Sequence, residues 1–400
     1  MTRSDDRIPF LDHIRGVAII LVFGFHALHP AFDRFDLSWD GWLRDFNVPR
    51  SFLLVLPVTA GSIGVAIFFV VSGFCIHLSH ERSKRKDLGT FFVRRFFRIY
   101  PPYFLALGFF ALVFPWSRLR FDSRGDFANL GSHLLLIHNF FGRSAVAING
   151  SFWSLAVEAQ LYLLYPLLLV FSRRLGWAGA LWLAGTIEVS LRSVSAAIFA
   201  AQGNQGPSWL VFSPFSFWLS WSIGARLADD WLKGRPPSLG TRSLWVWPVL
   251  TVISFFIKPL FPFVFLLAAL STATVIAYLL SHPSLTVPIP RFVWDHLRAV
   301  GVLSYSIYLL HEPLLNAVPW TLRKAFPGYH FNQILTFGAC LAAWWPIFFL
   351  SRAFYRYVEQ PSIRVGKAID SRDRRPGTSP AHAPNSNAVP DRVPDPILSS

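Results

Sequence analysis

Charged side chains are scarce in this sequence, and acidic ones are scarcer than basic ones. Asp, Glu, Lys and Arg make up 15% of the 400 residues, with 22 acidic residues against 37 basic ones, whereas 53% of the residues are hydrophobic. This composition is typical of a polytopic membrane protein. The two cysteines, Cys75 and Cys340, both lie in apolar segments, so we interpret them as small hydrophobic residues.

Several motifs of soluble enzymes are missing. The sequence has no glycine-rich phosphate loop, no Cys/His cluster with zinc spacing and no G-x-S-x-G nucleophile elbow, so we expect no metal site. The two halves show no matched interrupted helices of the kind found in inverted-repeat transporters. A net charge of +15 is compatible with nucleic acid. The basic residues fall mainly in short loops between apolar runs, however, and we expect no nucleic-acid partner.

Ten apolar runs approach the length that crosses a bilayer. They lie at about 12–32, 52–79, 100–116, 152–172, 176–200, 209–228, 243–258, 260–281, 299–320 and 331–352. We therefore predict an all-α, polytopic integral membrane protein with about ten transmembrane helices. The runs 243–258 and 260–281 are also consistent with one re-entrant unit. A shorter stretch, 129–141, suits an interfacial or re-entrant piece better than a span.

The loop charges predict an orientation. Lys and Arg are more frequent in the loops on the side of the N-terminus, which places both termini of a multi-pass protein in the cytoplasm, at the inner (plasma) membrane. Near the C-terminus the chain becomes rich in proline and poor in large apolar residues, which predicts disorder. We therefore predict a membrane domain over 1–367 and a disordered cytoplasmic tail over 368–400.

The first apolar run carries a cation and an imidazole. Arg15 and His26 are eleven residues apart, so in an α-helix they share a face to within about 20° and differ in height by about 16 Å. An ionisable side chain at membrane depth persists where it faces a cavity or a partner. The alternative is a snorkelling arginine and a histidine bonded to a neighbouring helix.

Three arginines alternate with aromatic residues in FFVRRFFRIYPPYF (91–104). Arg94, Arg95 and Arg98 stand where the third run begins, and Arg94 and Arg98 share a helix face. Such a group holds anionic lipid or clamps a phosphorylated soluble ligand, and the residues alone do not choose between the two.

Further ionisable residues lie inside apolar runs. Glu158 is an intramembrane carboxylate, for which the expected partner is His26 and the alternative partner is an intramembrane arginine. His311 and Glu312 lie in or beside the ninth run. We expect Arg192, near the end of its run, to snorkel towards the membrane surface.

Together these motifs resemble one family, the integral-membrane acyltransferase family 3, which includes bacterial O-acetylases of surface polysaccharides and macrolide acyltransferases. The resemblance runs from about Ile8 to Lys367. It rests on seven motifs in order: FLDHIRGVAIILVFGFH, GVAIFFVVSGFCI, FFVRRFFRIYPPYF, HNFFG, NGSFWSLAVEAQLYLLYP, SYSIYLLHEP and YVEQPSIR. Small departures from the family pattern occur at His13 and Leu161.

The resemblance implies a membrane-embedded O-acyltransferase. The enzyme, with the lipid bilayer around it, would move an acyl group, expected to be acetyl, from acyl-CoA to a hydroxyl of a sugar, glycan or glycosylated small molecule. His26 would take the hydroxyl proton or carry the acyl group, and Glu158 would orient it. The residues expected to hold the donor are Arg15, Arg95, Arg98 and Tyr100. The alternative is an exporter or flippase of a glycoconjugate that uses the same polar groups as its path.

Overall fold

A computed structural model describes residues 8–32, 56–83, 86–204, 206–237, 244–282 and 290–372 of the chain. Within these ranges all regular elements are helical, which confirms the predicted all-α class. The α-helices of eight or more residues are α1 (Pro9–Phe32), α2 (Gly64–Glu81), α3 (Leu88–Gly108), α4 (Arg124–Leu134), α5 (Phe152–Arg174), α6 (Gly176–Gln202), α7 (Trp218–Leu232), α8 (Val246–Phe256), α9 (Val264–Ser281), α10 (Arg291–Val302), α11 (Ser304–Asn316), α12 (Val318–Ala325), α13 (Gln333–Ala342), α14 (Trp344–Phe354) and α15 (Gln360–Arg372). A 3₁₀ turn, Leu56–Ile63, leads into α2, and a π turn, Tyr355–Glu359, precedes α15.

Seven helical segments of the described chain are long and apolar enough to cross a membrane. They are Phe10–Phe32, Pro57–Glu81, Leu88–Val113, Phe152–Arg174, Gly176–Gln202, Pro259–Ser281 and Gln333–Ile369. They coincide with seven of the ten predicted runs, so the polytopic membrane fold is confirmed and the number ten is approximate.

The three remaining runs form shorter or broken helices. The run 209–228 ends inside the 15-residue α7, and the run 243–258 contains the 11-residue α8. The run 299–320 is divided among α10, α11 and α12. An 11-residue helix rises about 16 Å, roughly half of the hydrocarbon core. The stretch 129–141 likewise contains only the end of the 11-residue α4 and a 3₁₀ turn, as expected of a segment too short to span.

Glycines bring pairs of helices into backbone contact. A Cβ atom added to Gly73 of α2 would lie 2.0 Å from the carbonyl oxygen of Trp221 in α7, and one added to Gly224 would lie 2.0 Å from that of Val70. A Cβ atom on Gly301 of α10 would lie 1.7 Å from the carbonyl oxygen of Asp12 in α1. Small residues at helix contacts are the usual means of close packing in a membrane, where lipid removes much of the hydrophobic drive between helices.

The central helices run in alternating directions around α1. Leu21 of α1 lies beside Gly61 and Arg15 lies beside Cys75, so α2 is antiparallel to α1. The helices α10 and α11 run parallel to α1, since Gly16 contacts Leu297 and His26 contacts His311. We call the side on which α1 begins, α2 ends and α3 begins the basic side, or basic end, of the bundle. The opposite side is the far end.

Arg192 is buried, which corrects the prediction that it snorkels. Its guanidinium donates to Glu188, itself 0% exposed, and to the carbonyl oxygens of Pro262 and Ser216. Glu188 also accepts hydrogen bonds from the backbone N–H and the hydroxyl of Ser220. The Glu188 carboxylate, one helical turn away, pairs with the guanidinium charge inside the bundle. The Arg192 side chain therefore does not have to reach the membrane surface.

The final helix α15 ends at Arg372 on the basic side, where the Ser362 hydroxyl donates to the carbonyl oxygen of Phe97. Residues 373–400, which form most of the predicted tail, lie outside the described residues.

Candidate active site

Polar side chains inside the bundle form two clusters at different heights. We call His26 and His311 the histidine pair; it lies towards the far end. The arginine cluster, towards the basic end, consists of Arg15, Arg95 and Arg98 with the carboxylates Glu158 and Glu359. Arg15 and His26 lie on one face of α1, about 16 Å apart along its axis, so the same helix lines both clusters.

The histidine pair joins α1 to α11. The His26 Nδ1 atom lies 3.2 Å from the His311 Nε2 atom, with the two ring centroids 4.9 Å apart. His311 is 0% exposed, whereas His26 is half-buried. His26 Nδ1 also lies 2.9 Å from the carbonyl oxygen of Val22, one turn earlier.

The partners of the two rings assign their tautomers. The His311 Nδ1 atom lies 2.9 Å from the Tyr308 carbonyl oxygen and 3.1 Å from that of Ile307. Because a carbonyl oxygen only accepts, the Nδ1 atoms of His311 and of His26 both carry hydrogen. His311 Nε2 then has a lone pair that accepts from His26 Nδ1–H. In a neutral His26 the Nε2 atom is therefore unprotonated, and it can act as a base or a nucleophile.

A short turn before α5 is bonded to the helix that carries His311. The Asn149 side chain donates to the Leu309 carbonyl oxygen at 3.0 Å, and the Gly150 backbone N–H donates to Glu312 at 2.9 Å. The Ser151 hydroxyl lies 3.5 Å from His311 Nε2. This turn therefore provides hydroxyl and amide groups beside the histidine pair.

The structure corrects the prediction that Glu158 pairs with His26. One oxygen of Glu158 accepts from the Ser72 hydroxyl at 2.7 Å and from the Tyr162 hydroxyl at 2.6 Å. Glu158 lies seven residues beyond Ser151 on α5, about 10 Å closer to the basic end, so it is at the wrong height for His26. The partner of the histidine is His311, and sequence spacing gave no sign of a contact between residues 285 positions apart.

Glu158 belongs instead to the arginine cluster. Its charge interacts with those of Arg95 and Arg98, which favours the alternative of an intramembrane arginine partner. Arg15 donates to the Asp12 carboxylate at 3.3 Å and to the Cys75 sulfur at 3.2 Å. The structure thus brings the three predicted arginines together on one side of the bundle.

Glu359 is a site residue that the sequence reasoning missed. It lies in the π turn before α15 and is 2% exposed. Its carboxylate accepts from the Ser306 hydroxyl at 2.6 Å and interacts with the charges of Arg98 and Arg15. A π turn inside a long helix often marks a functional position. The motif YVEQPSIR contained this carboxylate, but an exposed position after the last run was equally compatible with the sequence.

Tyr100 lies apart from both clusters. Its hydroxyl donates to the Leu134 carbonyl oxygen at 2.9 Å, at the end of α4, and its ring stacks on Phe96. The donor-binding role of Tyr100 stays a prediction. Within the described residues, no group of three or more His, Cys, Asp or Glu side chains is placed to hold a metal ion.

The chain is similar to known acyltransferases along most of its length. A family model described as an acyltransferase domain matches residues 8–351. The peptidoglycan O-acetyltransferase OatA of Listeria monocytogenes is 26% identical over 390 residues, covering 90% of this chain and 56% of that protein. The putative peptidoglycan O-acetyltransferase YrhL of Bacillus subtilis is 25% identical, covering 78% of this chain and 49% of that protein. The acyltransferase MdmB of Streptomyces mycarofaciens is 28% identical, covering 46% of this chain and 45% of that protein.

The chain spans about half the length of these curated relatives. No solved structure matches it.

Proposed function

The chain belongs to the integral-membrane acyltransferase family 3, and on that premise we propose that it transfers an acyl group from acyl-CoA to a hydroxyl of a carbohydrate or glycosylated molecule. The names of its relatives support O-acetyl transfer, with a glycan as one acceptor class. The inner membrane and cytoplasmic termini predicted from the loop charges belong to the same proposal.

One observation carries this proposal. The histidine pair lies inside the bundle, and three arginines lie on the basic side about 16 Å below it, along the face of α1. Guanidinium groups bind phosphate oxygens in a fork geometry, and a histidine with a free Nε2 serves acyl transfer. An acyl-CoA has its phosphates at one end of a flexible arm and its thioester at the other. The two clusters therefore match the two ends of one donor.

The histidine pair supports two chemical routes. In the direct route the acceptor oxygen attacks the thioester carbonyl while His26 Nε2 takes the hydroxyl proton, and the imidazolium then returns that proton to the departing thiolate. In the covalent route Nε2 attacks the carbonyl and the thiolate leaves, which gives an acyl-imidazolium that keeps its Nδ1–H. The acceptor oxygen then attacks the acyl group, the bond to Nε2 breaks, and the hydroxyl proton passes to the thiolate. In both routes Nδ1–H donates to His311 and fixes the ring.

The arginine cluster is charge-balanced without a donor. Asp12, which pairs with Arg15, and the carboxylates Glu158 and Glu359 together offset the three guanidinium charges, which lowers the cost of holding arginines at this depth. Donor phosphates would compete with these carboxylates for the guanidinium N–H groups.

Purified protein in nanodiscs tests the proposal with radiolabelled acetyl-CoA and a soluble oligosaccharide acceptor. Release of free CoA together with labelled acceptor is expected from the wild type, and loss of both from His26→Ala. His282→Ala is the matched control, because His282 is exposed and bonds through Nδ1 to the carbonyl oxygen four residues earlier, as His26 does. Glycoconjugate transport without any loss of thioester would contradict the proposal and favour the exporter.

A further inference from the structure

A small cleft lies on the basic side, between the last turn of α2 and the first turns of α3. Its lining residues are Ser79, His80, Ser83, Asp87, Thr90, Phe91, Arg94 and Arg95. Arg95 connects this cleft to the arginine cluster, because it lines the cleft and interacts with the charges of Arg98 and Glu158 in the cluster. Its Nη2 atom donates to the Ser79 hydroxyl at 2.9 Å.

Three polar groups in this lining have no hydrogen-bond partner within the described residues. His80 is 4% exposed, and its Nε2 atom is buried and unpartnered. The same is true of the Arg95 Nε atom and the Ser83 hydroxyl. A buried donor left unpaired costs about 1–3 kcal/mol. Since all three groups can donate, they call for an acceptor with several oxygens.

The charges around the cleft favour an anion. Arg94 and Arg95 supply positive charge, and the N-terminus of the 21-residue α3 adds the positive end of its dipole. The one carboxylate in the lining, Asp87, caps this helix by accepting from the Thr90 backbone N–H at 2.7 Å.

We propose that this cleft binds the ribose 3′-phosphate of the acyl-CoA donor, an inference that rests on the proposed function. Thr90 lies eight residues before Arg98 on α3, about 12 Å farther from the histidine pair. The pyrophosphate of the donor is nearer to its thioester than the 3′-phosphate is. The arginine cluster therefore takes the pyrophosphate, and the cleft takes the terminal phosphate beyond it.

An anionic lipid headgroup offers the same phosphate chemistry from another source. The test therefore compares acetyl-CoA with acetyl-3′-dephospho-CoA, each in nanodiscs of zwitterionic lipid and in nanodiscs with added anionic lipid. The variants are His80→Phe, Ser83→Ala and Arg94→Gln, with thermal stability measured beside the kinetics. Asp87→Asn serves as the opposite-sign control, because asparagine keeps the cap and removes the negative charge.

In zwitterionic nanodiscs we expect the three variants to raise KM for acetyl-CoA about tenfold and to leave kcat unchanged. They should leave KM for acetyl-3′-dephospho-CoA at the wild-type value. Asp87→Asn should lower KM for acetyl-CoA alone. An equal effect on both donors, no effect on either, or variant effects that appear only with anionic lipid would overturn the proposal.

Direct binding separates this proposal from the proposed function. If the wild type consumes no thioester, the function fails, and the binding of adenosine 3′,5′-bisphosphate to wild type and variants still tests the cleft. Weaker binding to His80→Phe and Arg94→Gln than to wild type is the expected result. Equal binding of the bisphosphate to wild type and variants would show that the cleft is not a phosphate site, whether or not the protein transfers acyl groups.

Discussion

A histidine base works in one tautomer, and the partner of its second nitrogen decides which. Here that partner is a neutral imidazole. His311 is fixed by two backbone carbonyl oxygens, so its Nε2 atom always accepts and His26 Nδ1 always donates. A carboxylate in this position would place a charge deep in the bundle, which is costly at membrane depth. A neutral acceptor fixes the ring without that cost.

Variants of His311 should lose turnover according to whether they keep a hydrogen-bond acceptor beside His26 Nδ1. His311→Phe removes the acceptor, so turnover should fall by about 10–100-fold, as for other residues that orient a functional histidine. His311→Gln can place its carbonyl oxygen near the position of Nε2 and should recover much of that loss. The donor KM should not change in either variant. Equal turnover for the phenylalanine and glutamine variants would contradict the tautomer assignment.

At the scale of elements, the site depends on helices held at fixed spacing. Helix α2 carries Ser72, which contacts Glu158, and Cys75, which contacts Arg15. The adjacent Gly73 sets the distance between α2 and α7, because their backbones touch there. Any residue that separates these helices would also move the polar groups of α2 within the arginine cluster.

Gly73→Ala should therefore destabilise the fold by about 3 kcal/mol or more, because the added methyl group would meet a backbone carbonyl that cannot turn aside. Gly338→Ala is the matched control: it also lies in an apolar helix, but its added Cβ meets nothing within 4 Å. The control should be neutral or gain up to about 1 kcal/mol from helix propensity. Thermal unfolding in detergent measures both. Similar melting temperatures for the two variants would show that α2 and α7 are not closely packed.

At the scale of the whole molecule, the ends of the helices define two sides. Helix α6 starts beside the end of α5 on the basic side, and its other end is capped by Gly203, which has a left-handed backbone with φ of +71°. Helix α15 ends on the basic side at Arg372. Reporter domains fused after Gly203 and after Arg372 should thus report opposite compartments, with the second in the cytoplasm. Two reports from one compartment would contradict the predicted topology.

The sequence predicts the features of the fold that depend on local periodicity, namely the positions of helices and the faces that residues share on one helix. The apolar runs located the long helices, and the spacing of Arg15 and His26 placed both on one face of α1. Contacts between side chains on different helices could not be predicted from the sequence, because they depend on the relative heights of those helices in the bundle. Glu158 and His311 both lie in apolar runs, and only the packed bundle shows which one reaches His26. The burial of Glu359 and of Arg192 was not predicted for the same reason, since Ser306, Pro262 and Ser216, which bond to them, lie in other elements.

The central claim is that chemistry occurs at His26 while the arginine cluster holds the donor. Donor affinity and turnover, measured side by side for His26→Ala, Arg95→Ala and Arg98→Ala, test it most directly. His26→Ala should lose at least about 100-fold in turnover and keep wild-type affinity for acyl-CoA. The arginine variants should each lose about 1.5–3 kcal/mol of donor affinity. Wild-type turnover in His26→Ala, or wild-type donor affinity in both arginine variants, would contradict the account.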